Sequence, residues 1–219
     1  MIIKIENMSK SYLQGKTTVN ALKNINLEVE DSQSMAIVGP SGSGKTTLLS
    51  LLGGLDLPTS GSIKLRDKCI SSMTEEEVVE FRSENIGIVF QQFHLMPHLT
   101  ALENVCLPLE IMGDKNPEKL ALEFLDHVGL SKRADHFPHQ MSGGECQRVA
   151  IARATVTRPK ILLADEPSGN LDTETGIKVM DLIFKIAEEN QMNLILVTHD
   201  IRLANRCQKQ VHLTGGLLK

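Results

Sequence analysis

Tryptophan is absent from this 219-residue chain, and aromatic residues make up only 3% of it. Proteins that bind single-stranded nucleic acid stack the bases on aromatic side chains, so this composition disfavours that class. The formal net charge is -4, whereas a protein whose main partner is nucleic acid is usually basic over at least one face. Both observations predict that nucleic acid is not a partner of this chain.

Long apolar runs and paired cysteines are lacking as well. No apolar run approaches the roughly 20 residues that a transmembrane helix needs, and residues 1–12 lack the apolar stretch of a signal peptide. We therefore expect a cytoplasmic chain, whose membrane part, if it has one, belongs to another chain. No Cys-x-x-Cys pair occurs, so disulfides and zinc sites are disfavoured and we expect reduced, structural thiols at Cys69, Cys106, Cys146 and Cys207.

The hydrophobic pattern indicates two kinds of strand. Apolar residues alternate with polar ones near Ile3, over 22–29 and near Ile63, as in half-buried antiparallel strands. Four further segments are apolar almost throughout, which is typical of parallel strands covered by helices on both faces; they are residues 35–38, 86–90, 161–164 and 194–197. Between about 100 and 156 only helical patterns occur, beginning with a capping box at Thr100.

The most specific motif follows the first of the fully apolar strands. It reads Gly-Pro-Ser-Gly-Ser-Gly-Lys-Thr and matches GxxxxGK[ST] between a strand and a helix, a context that argues against a chance match in a glycine-rich turn. Glycines let backbone N–H groups surround phosphates, and the helix N-terminus adds positive potential. We predict that Lys45 binds the β- and γ-phosphates of ATP and that the Thr46 hydroxyl binds Mg²⁺. The predicted cradle consists of Gly39, Pro40, Ser41, Gly42, Ser43, Gly44, Lys45, Thr46 and Thr47.

A second motif ends the strand over 161–164 with two acidic residues, Asp165 and Glu166. Ligands of open α/β sheets bind at the carboxyl ends of the strands. Asp165 is predicted to bind Mg²⁺, and Glu166 to activate the attacking water as general base. Alone the pair could be a solvated strand end; after a phosphate-binding loop the catalytic interpretation is favoured.

Three weaker signals accompany these motifs. Ser142, Gly143, Gly144 and Glu145 stand at the start of a predicted helix, which is either a second anion site or an ordinary loop with an N-cap. Gln91 follows the strand over 86–90, where an amide can contact Mg²⁺ and the attacking water. His199 follows the strand over 194–197, where it can contact the γ-phosphate, although a lone histidine is more often structural.

Taken in order, these motifs resemble the nucleotide-binding subunit of ABC transporters over essentially the whole chain. The resemblance implies that two copies pack head to tail, with the phosphate loop of one facing the Ser-Gly-Gly of the other across ATP, and that an integral membrane permease subunit is a partner at the inner face of the membrane. It places Gln91 on the Q-loop, residues 142–145 on the signature, Asp172 on the D-loop and His199 on the switch histidine. Tyr12 falls on the aromatic residue that stacks on adenine.

The fold implied is α/β: a P-loop NTPase core of mostly parallel sheet flanked by helices, with an N-terminal antiparallel β subdomain and an inserted all-helical subdomain. We predict one ABC ATPase domain over 1–219, with about 1–91 and 158–219 forming the β subdomain and core. The helical subdomain is expected over about 92–157. A groove around it would take a short helix of the permease, lined by Leu95, Met96, Leu99, Val105 and Leu107, unless these residues form the core of the helical block itself.

Residues 89–105 and 164–172 resemble a branch that includes lipoprotein-releasing, macrolide-exporter-type and cell-division ATPases. The chain is thus predicted to energise a membrane complex by ATP-driven dimer closure, for export, lipoprotein release or other mechanical work on the envelope. The alternative is a nucleotide-switched regulatory module of a cell-division-type complex without transport. DNA-repair and translation ATPases are disfavoured, because the chain has neither a long coiled coil before Asp165 nor a second such domain.

Overall fold

The computed structural model of the protein describes residues 1–15 and 17–219. The chain divides into two compact units, of which the first comprises Met1–Arg82 and Asn193–Lys219 and the second comprises Ser83–Met192. Within the described residues, no helix is both long enough and apolar enough to cross a membrane.

The first unit contains an antiparallel sheet. Its four strands lie in the order β2-β1-β4-β5 and comprise β1 (Ile3–Gln14), β2 (Thr17–Val29), β4 (Ser60–Leu65) and β5 (Lys68–Cys69). Ile3 pairs with Val29 on one side and with Leu65 on the other, and these side chains are buried. The alternating pattern of the sequence thus buries one face of the sheet, as predicted.

The same unit contains a second group of strands, which carries the phosphate-binding motif. The strand β3 (Ser34–Val38) pairs in parallel with β8 (Asn193–Val197) and with β9 (Lys209–Thr214), and β10 (Leu217–Leu218) pairs antiparallel with β9. All five side chains of β8 are buried, which explains the uninterrupted apolar run. Helix α1 (Lys45–Leu52) follows β3, and the short α7 (Ile201–Ala204) follows β8. Helix α2 (Glu75–Asn85) begins in the first unit and ends in the first residues of the second.

The second unit combines two parallel strands with helices. The strands β6 (Ile86–Phe90) and β7 (Ile161–Asp165) pair in register from Ile86 with Ile161 to Phe90 with Asp165. The helices are α3 (Ala101–Ile111), α4 (Pro117–His127), α5 (Gly143–Thr155) and α6 (Thr173–Glu189). A Cβ on Gly87 would lie 2.1 Å from the carbonyl oxygen of Ala154, so only glycine lets β6 approach α5 this closely.

Local signals set the starts of the helices in the second unit. The Thr100 hydroxyl accepts a hydrogen bond from the Glu103 amide, and the Glu103 carboxylate accepts one from the Thr100 amide at 2.7 Å, which is the predicted capping box. Helix α4 begins at Pro117, because the fixed φ of proline suits the first position of a helix. The α/β fold class with an antiparallel β part is confirmed. The proposed subdomain boundary near residues 92 and 157 stays a prediction.

Candidate active site

The phosphate-binding motif forms a tight loop between β3 and α1. Gly44 is the N-cap of α1 with φ of 104°, and a Cβ there would lie 2.7 Å from the Ala21 carbonyl oxygen and 2.9 Å from Leu22 Cδ2. A side chain at this position would meet both an unfavourable backbone conformation and a steric clash. Glycine is therefore required at this position of the loop.

Lys45 lies inside this loop. It is only 7% exposed, and its Nζ donates hydrogen bonds to the carbonyl oxygens of Gly39 at 2.9 Å and of Pro40 at 3.0 Å. The Ser43 hydroxyl is buried and has no hydrogen-bond partner within the part of the chain described. A buried ammonium, an unsatisfied hydroxyl and the N-terminus of α1 together suit a phosphate chain, because phosphate oxygens would accept hydrogen bonds from each of them.

Tyr12 lies next to this loop, on β1. Its hydroxyl donates to Asp56 Oδ2 at 2.8 Å and lies near Thr47, and Lys10 Nζ lies 4.8 Å from the centre of the ring. Partial burial acts to raise the pKa of Asp56, but the hydrogen bonds from Lys10 and Tyr12 outweigh it and lower that pKa. The ring is thus oriented by a charged pair while remaining 40% exposed, which leaves it accessible to a stacking partner.

His199 follows β8, whose register with β3 pairs Ile37 with Val197. Because parallel strands end at the same edge of a sheet, His199 and the start of the phosphate loop at Gly39 lie at one edge. The His199 side chain is exposed, while its neighbour Thr198 is buried. The first unit therefore brings together the phosphate loop, Tyr12 and the strand end that carries His199.

The second unit assembles a second group of predicted residues. Phe90 pairs with Asp165, so Gln91 and Glu166 follow neighbouring strands at the same edge. Glu166 has φ of 44°, in the left-handed region that a residue other than glycine seldom occupies. Such a conformation costs on the order of 1–3 kcal/mol and is concentrated at functional sites. Seven other non-glycine residues of the described chain share a positive φ, so this conformation is compatible with a catalytic Glu166 but does not single it out.

Gln147 is a residue whose role the sequence analysis missed. It lies on α5, is fully buried, and its Nε2 donates to the carbonyl oxygens of Pro167 at 2.7 Å and of Phe90 at 3.3 Å. The side chain therefore connects α5 to the ends of both strands that carry Gln91 and Glu166. The available signal was a polar residue on the helix face that also carries buried Ala150 and Ile151.

The residues of the Ser-Gly-Gly motif cap helix α5. Ser142 is the N-cap; its hydroxyl accepts from the Glu145 amide at 3.3 Å, and Glu145 Oε2 accepts from the Ser142 amide and hydroxyl, each at 2.8 Å. These hydrogen bonds from Ser142, followed by the contact with Arg133, lower the pKa of Glu145. A Cβ on Gly144 would lie 2.4 Å from Thr175 Cγ2, so glycine is required here. The ordinary N-cap that the sequence left open is present, and a cap of this kind is compatible with an anion site.

Two side chains that lie outside the motif, Arg133 and His136, form a series of contacts that reaches Glu145. Arg133 Nε donates to Glu145 Oε1 at 2.9 Å, and Arg133 Nη1 lies 3.0 Å from His136 Nε2. Asp172, the predicted D-loop residue, is the N-cap of α6 and accepts from the Thr175 amide at 3.0 Å, and the hydrogen bonds from Thr175 lower its pKa.

Known proteins are similar to this chain over most or all of its length. The sequence profile of the ABC transporter family matches residues 22–169. The lipoprotein-releasing system ATP-binding protein LolD of Hahella chejuensis is 46% identical over 219 residues, which cover 99% of this chain and 95% of that protein. The uncharacterized ABC transporter ATP-binding protein YbbA of Escherichia coli K12 is 45% identical, with 100% and 96% coverage.

A solved structure is similar over the whole chain. It is the dimeric, post-hydrolysis state of the ATP-binding cassette MJ0796 bound to ADP and Pi, with a TM-score of 0.91 and 41% identity, covering 100% of this chain and 98% of that one. The protein MJ0796 comes from Methanocaldococcus jannaschii. Members of this family bind ATP together with Mg²⁺, for which the residues of the phosphate loop are suited. The chain therefore belongs to the ABC transporter family, as an ATP-binding subunit that hydrolyses ATP.

Proposed function

We propose that the chain is the motor subunit of a membrane complex in the cell envelope, and that two copies close on ATP head to tail. The observation that carries this proposal is that one chain has two different helix N-termini suited to phosphate. Helix α1 begins at the buried Lys45, and α5 begins at the exposed Ser142 with two glycines behind it. In the proposed dimer the first binds the chain's own ATP, and the second completes the site of the other copy.

Each predicted residue has a distinct task in this proposal. Lys45 and the backbone N–H groups of residues 39–47 bind the phosphates, and Tyr12 stacks on the adenine. Mg²⁺, when bound, neutralises charge on the phosphates, and its protein ligands are Thr46, Asp165 and Gln91. These are oxygen donors, which is the ligand type that this cation requires.

The remaining residues act on the reaction itself. Glu166 accepts a proton from the attacking water, while His199 hydrogen-bonds to a γ-phosphate oxygen. Ser142 and the amides of Gly143 and Gly144 donate to the γ-phosphate bound by the other copy, where negative charge is spread over the oxygens in the transition state. Asp172, at the start of α6, lies on the segment proposed to connect the two sites of the dimer.

The work done by the complex is proposed from the relatives. LolD proteins are named as part of a lipoprotein-releasing system, which favours lipoprotein release or related envelope work at the inner face of the membrane. A nucleotide-switched regulatory module without transport is the second candidate, and the motor residues are the same in both. The two candidates differ in the membrane subunit that the chain binds.

One surface supports docking of such a subunit. Met96 is 44% exposed, and the loop that carries it is held by Asn104, a fully buried residue that accepts from the Met96 amide at 2.8 Å and donates to the carbonyl oxygens of Met96 and Leu99. Val105, also expected in the groove, is fully buried and therefore belongs to the core of the helical block. The proposed groove thus rests on the loop around Met96.

The experiment that tests the motor is the substitution Glu166→Gln. Loss of a general base lowers hydrolysis by about 10²- to 10⁴-fold, while the phosphate loop remains intact, so the variant is expected to bind Mg-ATP and accumulate as a dimer. Phosphate release and light scattering after size exclusion measure the two effects. Glu123→Gln, an exposed position on α4, is the matched control. A hydrolysis rate within a few-fold of the wild type contradicts the role of Glu166.

The same variant identifies the partner. Tagged Glu166→Gln protein is incubated with membranes and Mg-ATP, and the bound proteins are read by mass spectrometry. Recovery of a stoichiometric integral membrane protein supports the membrane complex, and the extracytoplasmic domain of that protein separates lipoprotein release from a regulatory task. Recovery of soluble proteins or nucleic acid alone contradicts the membrane assignment and leaves the ATPase standing.

A further inference from the structure

Two amide side chains that are 79 residues apart in the sequence form a reciprocal pair in the second unit. Gln91 Nε2 donates to Asn170 Oδ1 at 3.0 Å, and Asn170 Nδ2 donates to the backbone carbonyl oxygen of Gln91 at 3.1 Å. Gln91 follows β6, and Asn170 lies in the turn between Glu166 and α6. The pair therefore joins the predicted magnesium ligand to the segment that carries the predicted general base.

The second hydrogen bond decides the orientation of the first. The two ends of an amide group have almost the same shape, so an amide side chain can present either its oxygen or its NH₂ to a neighbour. A backbone carbonyl oxygen only accepts, so Asn170 must present its NH₂ to Gln91 O and its Oδ1 to the Gln91 side chain. Oδ1 also only accepts, so Gln91 must present Nε2 to Asn170, which leaves Gln91 Oε1 directed away from this pair.

The chain brings the two residues close by means of Gly169. A Cβ at that position would lie 2.8 Å from Gln91 Nε2 and 3.2 Å from Gln91 Cδ. The turn itself is closed by hydrogen bonds from the Gly169 amide to the Glu166 carbonyl oxygen at 2.9 Å and from the Leu171 amide to the Ser168 carbonyl oxygen at 3.1 Å. Asn170 thus stands on a short, internally bonded turn, which is a suitable support for orienting a neighbour.

We propose that Asn170 is a positioning residue that orients the amide of Gln91, so that Gln91 offers Oε1 rather than Nε2 to Mg²⁺. The proposal rests on the role proposed for Gln91 above. Mg²⁺ takes oxygen ligands, and an NH₂ group in the same place would bring donor hydrogens toward the cation. Residues that hydrogen-bond to a metal ligand fix its orientation, and their loss typically weakens metal binding by about 10- to 100-fold.

The test is the affinity for Mn²⁺, which replaces Mg²⁺ and is detected by electron paramagnetic resonance, in the presence of the non-hydrolysable analogue AMP-PNP. We expect Asn170→Ala and Gln91→Ala each to weaken Mn²⁺ binding by about 10- to 100-fold. The control is Asn116→Ala, because Asn116 is exposed at the N-cap of α4 and makes no side-chain cap hydrogen bond. This readout does not depend on turnover, so it is separate from the test of Glu166.

The double variant separates positioning from a general effect on the fold. If Asn170 acts through Gln91, the variant Asn170→Ala/Gln91→Ala binds Mn²⁺ no more weakly than Gln91→Ala alone. A double variant whose loss equals the product of the two single losses overturns the proposal, as does wild-type affinity in Asn170→Ala when Gln91→Ala is weakened. Wild-type affinity in both single variants overturns the role of Gln91 as well, while the ATPase function is still judged by Glu166→Gln.

Discussion

The substitution Gln147→Glu leaves the shape of the side chain almost unchanged but removes the NH₂ group that donates its hydrogen bonds. Gln147 is fully buried, and its NH₂ group donates hydrogen bonds to the carbonyl oxygens of Phe90 and Pro167. An ionised glutamate has no donor, and it would place a carboxylate against two carbonyl oxygens. A protonated glutamate has one O–H donor, which can donate a hydrogen bond to the nearer of the two carbonyl oxygens, that of Pro167. The folded protein therefore strongly favours the protonated acid at this position.

The size of the effect follows from the pKa that such a site imposes. Buried glutamates reach pKa values of about 8–9, against about 4.3 in an unfolded chain. If the folded-state pKa lies above about pH 7.5, the glutamate is protonated at that pH in the folded protein but ionised in the unfolded chain. This lowers the free energy of unfolding by about 1.36 kcal/mol for each pH unit above the unfolded-state pKa, or about 4 kcal/mol over about 3.2 pH units. Loss of one of the two hydrogen bonds adds about 1 kcal/mol at any pH.

The direction of the pH dependence is the distinctive part of this prediction. Because the folded-state pKa is raised, the loss of stability of Gln147→Glu is small near pH 4.3, grows as pH rises, and levels off above the folded-state pKa. The assay is urea unfolding at about pH 5 and about pH 7.5, read as the difference from wild type at each pH. Gln147→Met, which has no titratable group, is the control and should show the same difference at both. A difference for Gln147→Glu that is also the same at both values refutes the reasoning.

Two further predictions concern the phosphate loop and the signature. Gly44→Ala should lower stability by about 1–3 kcal/mol and abolish binding of a fluorescent ATP analogue, because the added Cβ meets the Ala21 carbonyl oxygen at 2.7 Å; an unchanged melting temperature with normal binding would disprove the tight packing. Arg133→Gln should lower kcat/KM for ATP by up to about fivefold, because it removes the positive charge that offsets Glu145 beside the proposed γ-phosphate site, and an ion pair whose arginine is 45% exposed is worth about 0.2–1 kcal/mol. Adding Glu145→Gln should restore most of that activity, and a double variant as slow as Arg133→Gln would show that Arg133 acts through the fold and not through its charge.

The sequence alone determined those features that depend on near neighbours in the chain. The phosphate loop needs glycines at particular backbone angles, so the order of its residues is enough to identify it, and the cap at Thr100 and the start of α4 at Pro117 are equally local. The apolar runs of β3, β7 and β8 also predicted their burial, because a strand covered on both faces tolerates few polar side chains.

Which polar groups form hydrogen bonds with each other depends on how the whole chain packs, and the local sequence does not reveal it. Asn170 hydrogen-bonds to Gln91, which is 79 residues away in the sequence. Gln147 donates to the Phe90 carbonyl oxygen, 57 residues away, and the Tyr12 hydroxyl donates to Asp56, 44 residues away. Helix α2, over Glu75–Asn85, was also absent from the sequence prediction, since its apolar residues are few and mark no clear face. A hydrogen bond forms only where the packing of helices and strands brings a donor to an acceptor within about 3 Å, and a residue's type shows that it needs a partner without showing which one it will have.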